Sequence, residues 1–310
     1  MNRSTCLSVS VTAALLAAGL LTVSFGGESP AKPVRILCLG SSSMYFHDMP
    51  RDTAEWLTRY AGTPAEAELA GRSGTAVYKY LQPGFKMEFG VAQGQTVLDK
   101  IRDGKYQFVI LQVPTDYLAG RGDNNRDEFI TGIDTYIRAI RQSGAKPLFY
   151  EQGWGEDELF DMGDRLLFEL ARKHGVPVAP CRSAWKRIRQ GRPDLELHNL
   201  PDQTHPGTLG KYVNLCCFYA ALTGQSPVGL PVREVSCWPP LTDEQKKQAR
   251  NRLTDDVVQD QYMKQLAGWM QVRSVMSETT KLDNETAAYF QKVAWETWQA
   301  YNRRLEPDRN

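Results

Sequence analysis

Cysteine is scarce in this sequence, with six among 310 residues, and histidine is scarcer still, with four. Cys6 precedes the first apolar stretch, and among Cys38, Cys181, Cys216, Cys217 and Cys237 no pair has the spacing of a tetrahedral metal knuckle. No close cluster of histidines and carboxylates stands out either. Metal-dependent phosphoester chemistry is therefore the least favoured class, and no metal or cofactor is implied. Cys38 falls in an apolar strand pattern and Cys216 and Cys217 in an apolar helix, where cysteine serves as a small core residue. Cys181 and Cys237 form a conceivable bridge, and the odd count leaves at least one thiol free. Charge of one sign is lacking too, since 37 Lys and Arg face 36 Asp and Glu for a net charge of +1. The basic residues are dispersed rather than interleaved with aromatics, which argues against a nucleic-acid partner. There is no internal repeat and no low-complexity tract.

The apolar stretch VSVTAALLAAGLLTVSFGG, residues 9–27, is too short and too weakly flanked for a spanning anchor. With Arg3 ahead of it and small residues at its end it reads as a secretory signal over residues 1–31, cleaved near residue 26 or 31. The mature protein is then expected to be exported, periplasmic or extracellular, where disulfides form, with no stable membrane insertion once the signal is removed.

The rest has the composition of a folded chain, 42% hydrophobic and 24% charged, enough for a core without metal or disulfide staples. Five apolar runs, VRILCL, AEAELAG, QFVILQ, KPLFYEQ and VPVAP, predict strands, and helical patterns lie between them. In the helix predicted from residue 126, Phe129, Ile133, Ile137 and Ile140 fall on one face and Gly144 ends it. Strand and helix alternating with short connections predicts an α/β fold with a mostly parallel five-stranded sheet over residues 32–230. A stretch rich in Pro and Gly closes that domain. Residues 231–310 then read as a linker and a C-terminal helical extension, with Tyr289, Val293 and Trp298 of the last helix expected to pack on the main domain.

Two segments carry the chemistry. VRILCLGSSSMYFHDMP is a strand ending in Gly40 and a serine cluster, and DQTHPGTLGKY places Asp202 three residues before His205. A serine turn by itself commonly caps a helix, and Asp-x-x-His by itself is commonly structural. Together, at the carboxyl ends of strands in one α/β pattern, they supply a nucleophile, a base and a group that orients the base.

On these residues the chain resembles the SGNH, or GDSL-type, hydrolase superfamily, in particular the subgroup whose first block reads Gly-Asn-Ser-Phe-Thr and then Asp-Met-Pro. Gly40, Ser41, Ser42, Ser43 and then Asp48, Met49, Pro50 match that block, with Ser41 where the family has Asn or Asp. The final block matches through Asp202, His205, Pro206, Gly210 and Tyr212. The resemblance implies a three-layer α/β/α sandwich. It also implies a catalytic triad of Ser42, His205 and Asp202, and an oxyanion hole from the Ser42 N–H, a Gly74 N–H in the turn GRSGT and the side-chain amide of Gln112. Ser41, Tyr45, His47, Asp116 and Trp154 are expected about the pocket, and Phe46, Tyr117 and Trp185 are further aromatics that could meet a sugar ring. The implied activity is that of a carbohydrate acetylesterase, or of an esterase acting on another small ester. Two alternatives stay open: a non-catalytic carbohydrate-binding or envelope protein on the same scaffold, and an acyltransferase.

Overall fold

A computed structural model of the chain describes residues 32–198, 205–237 and 278–305. The signal and its cleavage positions, Asp202, and the stretch 238–277 of the extension lie outside the described residues.

Five parallel strands form the central sheet: β1 (Val34–Gly40), β2 (Ala65–Gly71), β3 (Phe108–Pro114), β4 (Lys146–Gln152) and β5 (Val178–Ala179), in the order β2-β1-β3-β4-β5. Alternate residues along each strand point to opposite faces, so an unbroken apolar run feeds two cores. Ile36, Cys38, Ile110, Leu148 and Tyr150 join one apolar cluster. Leu37, Leu39, Val109, Leu111 and Phe149 join the other. Against the second face pack a 3-10 turn (Val77–Leu81), α3 (Val97–Asp103), the short α4 (Thr115–Leu118), α5 (Arg126–Gln142) and α6 (Glu158–His174). Phe129, Ile133, Ile137 and Ile140 are all buried there, and Gly144, at φ +84°, takes the left-handed turn that follows the helix.

The first face carries α2 (Met49–Tyr60), α7 (Cys181–Gly191), α8 (Thr208–Thr223) and α9 (Asn284–Leu305). Helix α8 has buried residues on every side, as its sequence TLGKYVNLCCFYAALT demands. Helix α9 covers it: Ala287, Phe290, Val293 and Ala294 join the first core, with Tyr289 packed at its margin. The last helix is thus a layer of the same compact unit, which together with the sheet makes the three-layer α/β/α sandwich. An antiparallel pair, β6 (Glu234–Cys237) and β7 (Glu278–Lys281), lies outside the main sheet.

Cys181 is in no disulfide bridge, and the side chain of Cys237 lies outside the described residues. Cys181 opens α7 as a free, fully buried thiol with its Sγ toward the Asn214 carbonyl, deep among Cys216, Cys217 and Tyr150, whose apolar packing is the reason for its burial. Cys38, Cys216 and Cys217 are likewise free and buried. Among the described residues no helix is long and apolar enough to cross a membrane.

Candidate active site

The strand order reverses between β1 and β3, and in open α/β sheets the crevice beyond the carboxyl ends at such a reversal is where ligands bind. Ser42 is placed there. It is the first residue of a one-turn helix, α1 (Ser42–Tyr45), directly after β1. Of the serine cluster Ser41 and Ser43 are buried and Ser42 alone is half-open.

The turn beneath it is built by close approach. A Cβ on Gly40 would lie 2.3 Å from Gln112 Oε1, and one on Gly71 would lie 2.0 Å from the Gly40 carbonyl oxygen, so both positions require glycine. The Tyr80 hydroxyl donates to the Gly40 carbonyl at 3.0 Å. Gln112 Oε1 accepts from the Ser41 N–H at 2.8 Å, and Gln112 Nε2 donates to Ser41 Oγ at 3.0 Å and, more weakly, to Gln152 Oε1 at 3.4 Å. Ser41 makes no side-chain cap on α1. Its hydroxyl faces the glutamine, which explains how serine stands where the resembling family has an amide or acid. Gln112, 1% exposed, thus has its amide committed to the turn, where a donor aimed at an oxyanion was expected.

Helix α1 ends abruptly. His47 and Asp48 take left-handed backbone at φ 57° and 52°, and neither is glycine. Each such residue costs about 1–2 kcal/mol, and the chain then restarts as α2 in a new direction with Pro50 in its first turn. Burial pushes the Asp48 carboxyl above its usual range, against the pull of Arg51 and Lys211. The Lys211 ammonium, 1% exposed, donates to the His47 carbonyl at 2.5 Å and pairs with Asp52 at 2.6 Å.

His205 enters from the other segment. It is half-buried, and its ring stacks on Phe46 with centroids 4.3 Å apart and planes 9° from parallel. Phe46 is one helical turn beyond Ser42, so the stack brings the imidazole and the serine turn into one neighbourhood. The segment is fixed at its base: His198 bridges to Pro206, and the Gly207 N–H donates to the Leu197 carbonyl at 2.8 Å. Gly210 is obligatory, because a Cβ there would lie 2.2 Å from the Leu197 carbonyl oxygen and 2.3 Å from the Trp185 ring. Asp202, expected to orient His205, lies outside the described residues.

The remaining expected residues divide. Gly74 sits in the turn after β2 at φ +59° with open space where a Cβ would be, so conformation and not crowding calls for glycine. The turn is tied to α1 by a hydrogen bond between the Tyr45 and Ser73 hydroxyls. Tyr45 itself is fully buried, its ring edge-on to Phe89 at 5.1 Å, so it is a prop of the turn and not a pocket wall. Trp185 is fully buried too, stacked on Trp154 at 3.8 Å, and Phe46 meets His205 in place of a sugar. Trp154 keeps 9% exposure and a buried indole N–H without a partner. Half-buried Asp116 follows β3 and pairs with Arg121 at 3.0 Å, its carboxyl pushed up by burial. His47 is 5% exposed and contributes its carbonyl to Lys211. Among the described residues no group of histidines, cysteines and carboxylates is placed to hold a metal ion.

Lys211, Asp52, Tyr80 and Gln152 were not anticipated. A single lysine inside the apolar run GKYVNLCCFYAA was the available signal, because a cation placed there must find a buried partner.

No protein-family model matches the chain, and no curated protein does. Several solved structures are similar to it in chain path. One is TesA, with 14% identity over 61% of this chain and 98% of that one, at a TM-score of 0.45. Another is a variant of Axe2, an acetyl-xylooligosaccharide esterase of Geobacillus stearothermophilus, with 12% identity over 61% and 94% of the two chains and a TM-score of 0.47. A third is the protein YxiM of Bacillus subtilis, with 14% identity over 65% and 59% and a TM-score of 0.47.

Proposed function

We propose that this protein is a serine ester hydrolase in which Ser42 attacks an acyl carbonyl, His205 takes the serine proton, and Asp202 orients His205. The observation that carries the reading is that Ser42 alone of its cluster is half-open, at the reversal of the strand order, with His205 stacked on the residue one turn beyond it. A serine hydroxyl is a weak nucleophile until a base removes its proton as the new bond forms. The imidazole can do so and then return the proton to the leaving alcohol, while a carboxylate on its other nitrogen holds the tautomer and stabilises the cation. The tetrahedral oxyanion would be met by the backbone N–H groups of Ser42 and Gly74. The Gln112 amide supports that hole through Ser41, whose N–H and hydroxyl it holds. Water then releases the acyl group from Ser42 by the same steps in reverse order.

A short acyl group, acetate above all, carried on a carbohydrate is the proposed substrate. The support is the resemblance of the two motif blocks together with the expected export, and half-buried Tyr117, just beyond the carboxyl end of β3, is the expected aromatic most open to a sugar ring. The test is release of acetate from acetylated xylan and of p-nitrophenol from p-nitrophenyl acetate, with Ser42→Ala run in parallel. Release by the wild type that Ser42→Ala abolishes supports the reading; equal release by both proteins ends it.

A further inference from the structure

Lys211 is six positions after His205, on the helix that His205 and Pro206 lead into, and its ammonium is buried against a backbone carbonyl and a carboxylate. Asp52 is 4% exposed and also accepts from Arg51 at 3.1 Å. A buried ion pair is a weak means of stabilising a fold, because the loss of hydration cancels much of the attraction and apolar side chains of the same volume often do as well. An apolar side chain, however, cannot donate a hydrogen bond to the His47 carbonyl. That carbonyl belongs to the first of the two left-handed residues that end α1. On one side of this reversal stand Ser42 and Phe46; on the other α2 departs carrying Asp52, the partner of Lys211. One ammonium therefore ties the segment that carries the hydroxyl to the helix that follows the imidazole, across 164 positions of sequence.

We propose that Lys211 is a positioning residue whose ammonium, held by Asp52, clamps the left-handed turn at His47 and Asp48 and so sets the placement of Ser42 against His205. The proposal rests on the serine-hydrolase reading for its effect on turnover and on the backbone geometry for the clamp itself. Lys211 touches no substrate.

Removing the lysine alone would leave Asp52 buried without its partner, so the informative variant is Lys211→Met with Asp52→Asn, which removes both charges and nearly conserves volume. It is expected to melt close to the wild type while kcat for p-nitrophenyl acetate falls about 100-fold, the loss typical of a small misplacement of reacting groups, with KM little changed. Adding Asp48→Gly, which takes left-handed backbone without strain, is expected to restore most of that kcat. The 13C shifts of His47 and Asp48 read the backbone independently of turnover and should leave the left-handed range in the double variant. Wild-type kcat in the folded double variant, or unchanged shifts at both residues, overturns the proposal. If the Met variant does not fold, Lys211→Gln with Asp52→Asn carries the same two measurements. There the retained donor should keep the left-handed shifts, and their loss overturns the clamp. Failure of the hydrolase reading is separate: wild-type protein that releases no p-nitrophenol removes the role in turnover, and the shifts still decide whether Lys211 holds the turn.

Discussion

Two serines stand near strand ends of the same sheet, and their settings are opposite. Ser183, on α7, donates both its N–H, at 2.9 Å, and its hydroxyl, at 3.0 Å, to the Glu151 carboxyl of β4, which is fully buried. These two residues line a cavity of about 400 Å³ with Asp161, Asp164, Lys186 and Tyr301, and the cavity shares no residue with the Ser42 site. Ser42 stands instead on a turn propped by glycines, by a glutamine and by a lysine-held left-handed reversal, and the residue is half-buried. At Ser183 the hydrogen bonds hold the serine itself; at Ser42 they hold its neighbours Gly40 and Ser41. A serine beside a titratable group is common, and what marks Ser42 is a supported turn at the place where the sheet order reverses.

The widest separation between the two should come from alanine. In a serine hydrolase the loss of the nucleophile costs about 10⁶-fold in kcat, so Ser42→Ala should reduce p-nitrophenyl acetate turnover to background. Ser183→Ala should leave kcat within about threefold of the wild type, because its cavity shares no residue with the Ser42 site and the loss of one donor to the buried Glu151 carboxyl, about 1–3 kcal/mol, falls on stability. Parallel steady-state assays decide it, and a large loss in Ser183→Ala would reverse the assignment of the two sites. The next largest effect is expected from Asp202→Asn, which favours the wrong imidazole tautomer and should lower kcat about 10⁴-fold with the fold intact. Wild-type turnover in that variant would remove Asp202 from the triad.

The same comparison explains how much could be read from the sequence. The strands were legible because β1, β3 and β4 are buried on both faces and show as unbroken apolar runs, and α5 because its four large apolar residues recur at helical spacing. The placement of Ser42 after a strand and of His205 before a helix was legible because a serine turn and a His-Pro are short local patterns. The support under them was not. Lys211 meets His47 across 164 positions, and the left-handed pair at His47 and Asp48 contains no glycine to announce it. Tyr45, Phe46 and Trp185 show the complementary error, since an aromatic near a strand end looks alike in sequence whether it faces a sugar, a histidine or the core. A bridge between Cys181 and Cys237 was conceivable once the other cysteines fell in apolar patterns, whereas the depth of Cys181 is a tertiary fact.

The smallest effect concerns the other member of the comparison, Glu151, and it appears in stability and not in turnover. Burial, with Asp164 nearby adding to it, pushes the Glu151 carboxyl up to about 7 from an ordinary 4.5, and the two bonds from Ser183 only partly oppose the rise. The folded protein therefore holds a proton at Glu151 that the unfolded chain gives up near its ordinary pKa. Between pH 4.5 and 7 the native state binds more protons than the unfolded state, so the contribution of this group is full below the lower value and declines as pH rises through the upper one. The loss amounts to about 3 kcal/mol, at 1.36 kcal/mol per pKa unit. Glu151→Gln, which keeps an acceptor for Ser183 and cannot ionise, should abolish that decline. Urea unfolding at pH 5 and pH 8 measures it: the wild type should lose more stability than the variant between the two, while p-nitrophenyl acetate turnover stays equal at either pH. Asp48, Asp116 and Asp164 are also raised by burial and give slopes of the same sign in both proteins, so the difference between wild type and variant isolates Glu151 together with its coupling to Asp164. Parallel pH profiles of stability would mean that Glu151 is ionised in the folded protein. The cavity wall would then hold a charge, and the contrast with the Ser42 site would rest on geometry alone.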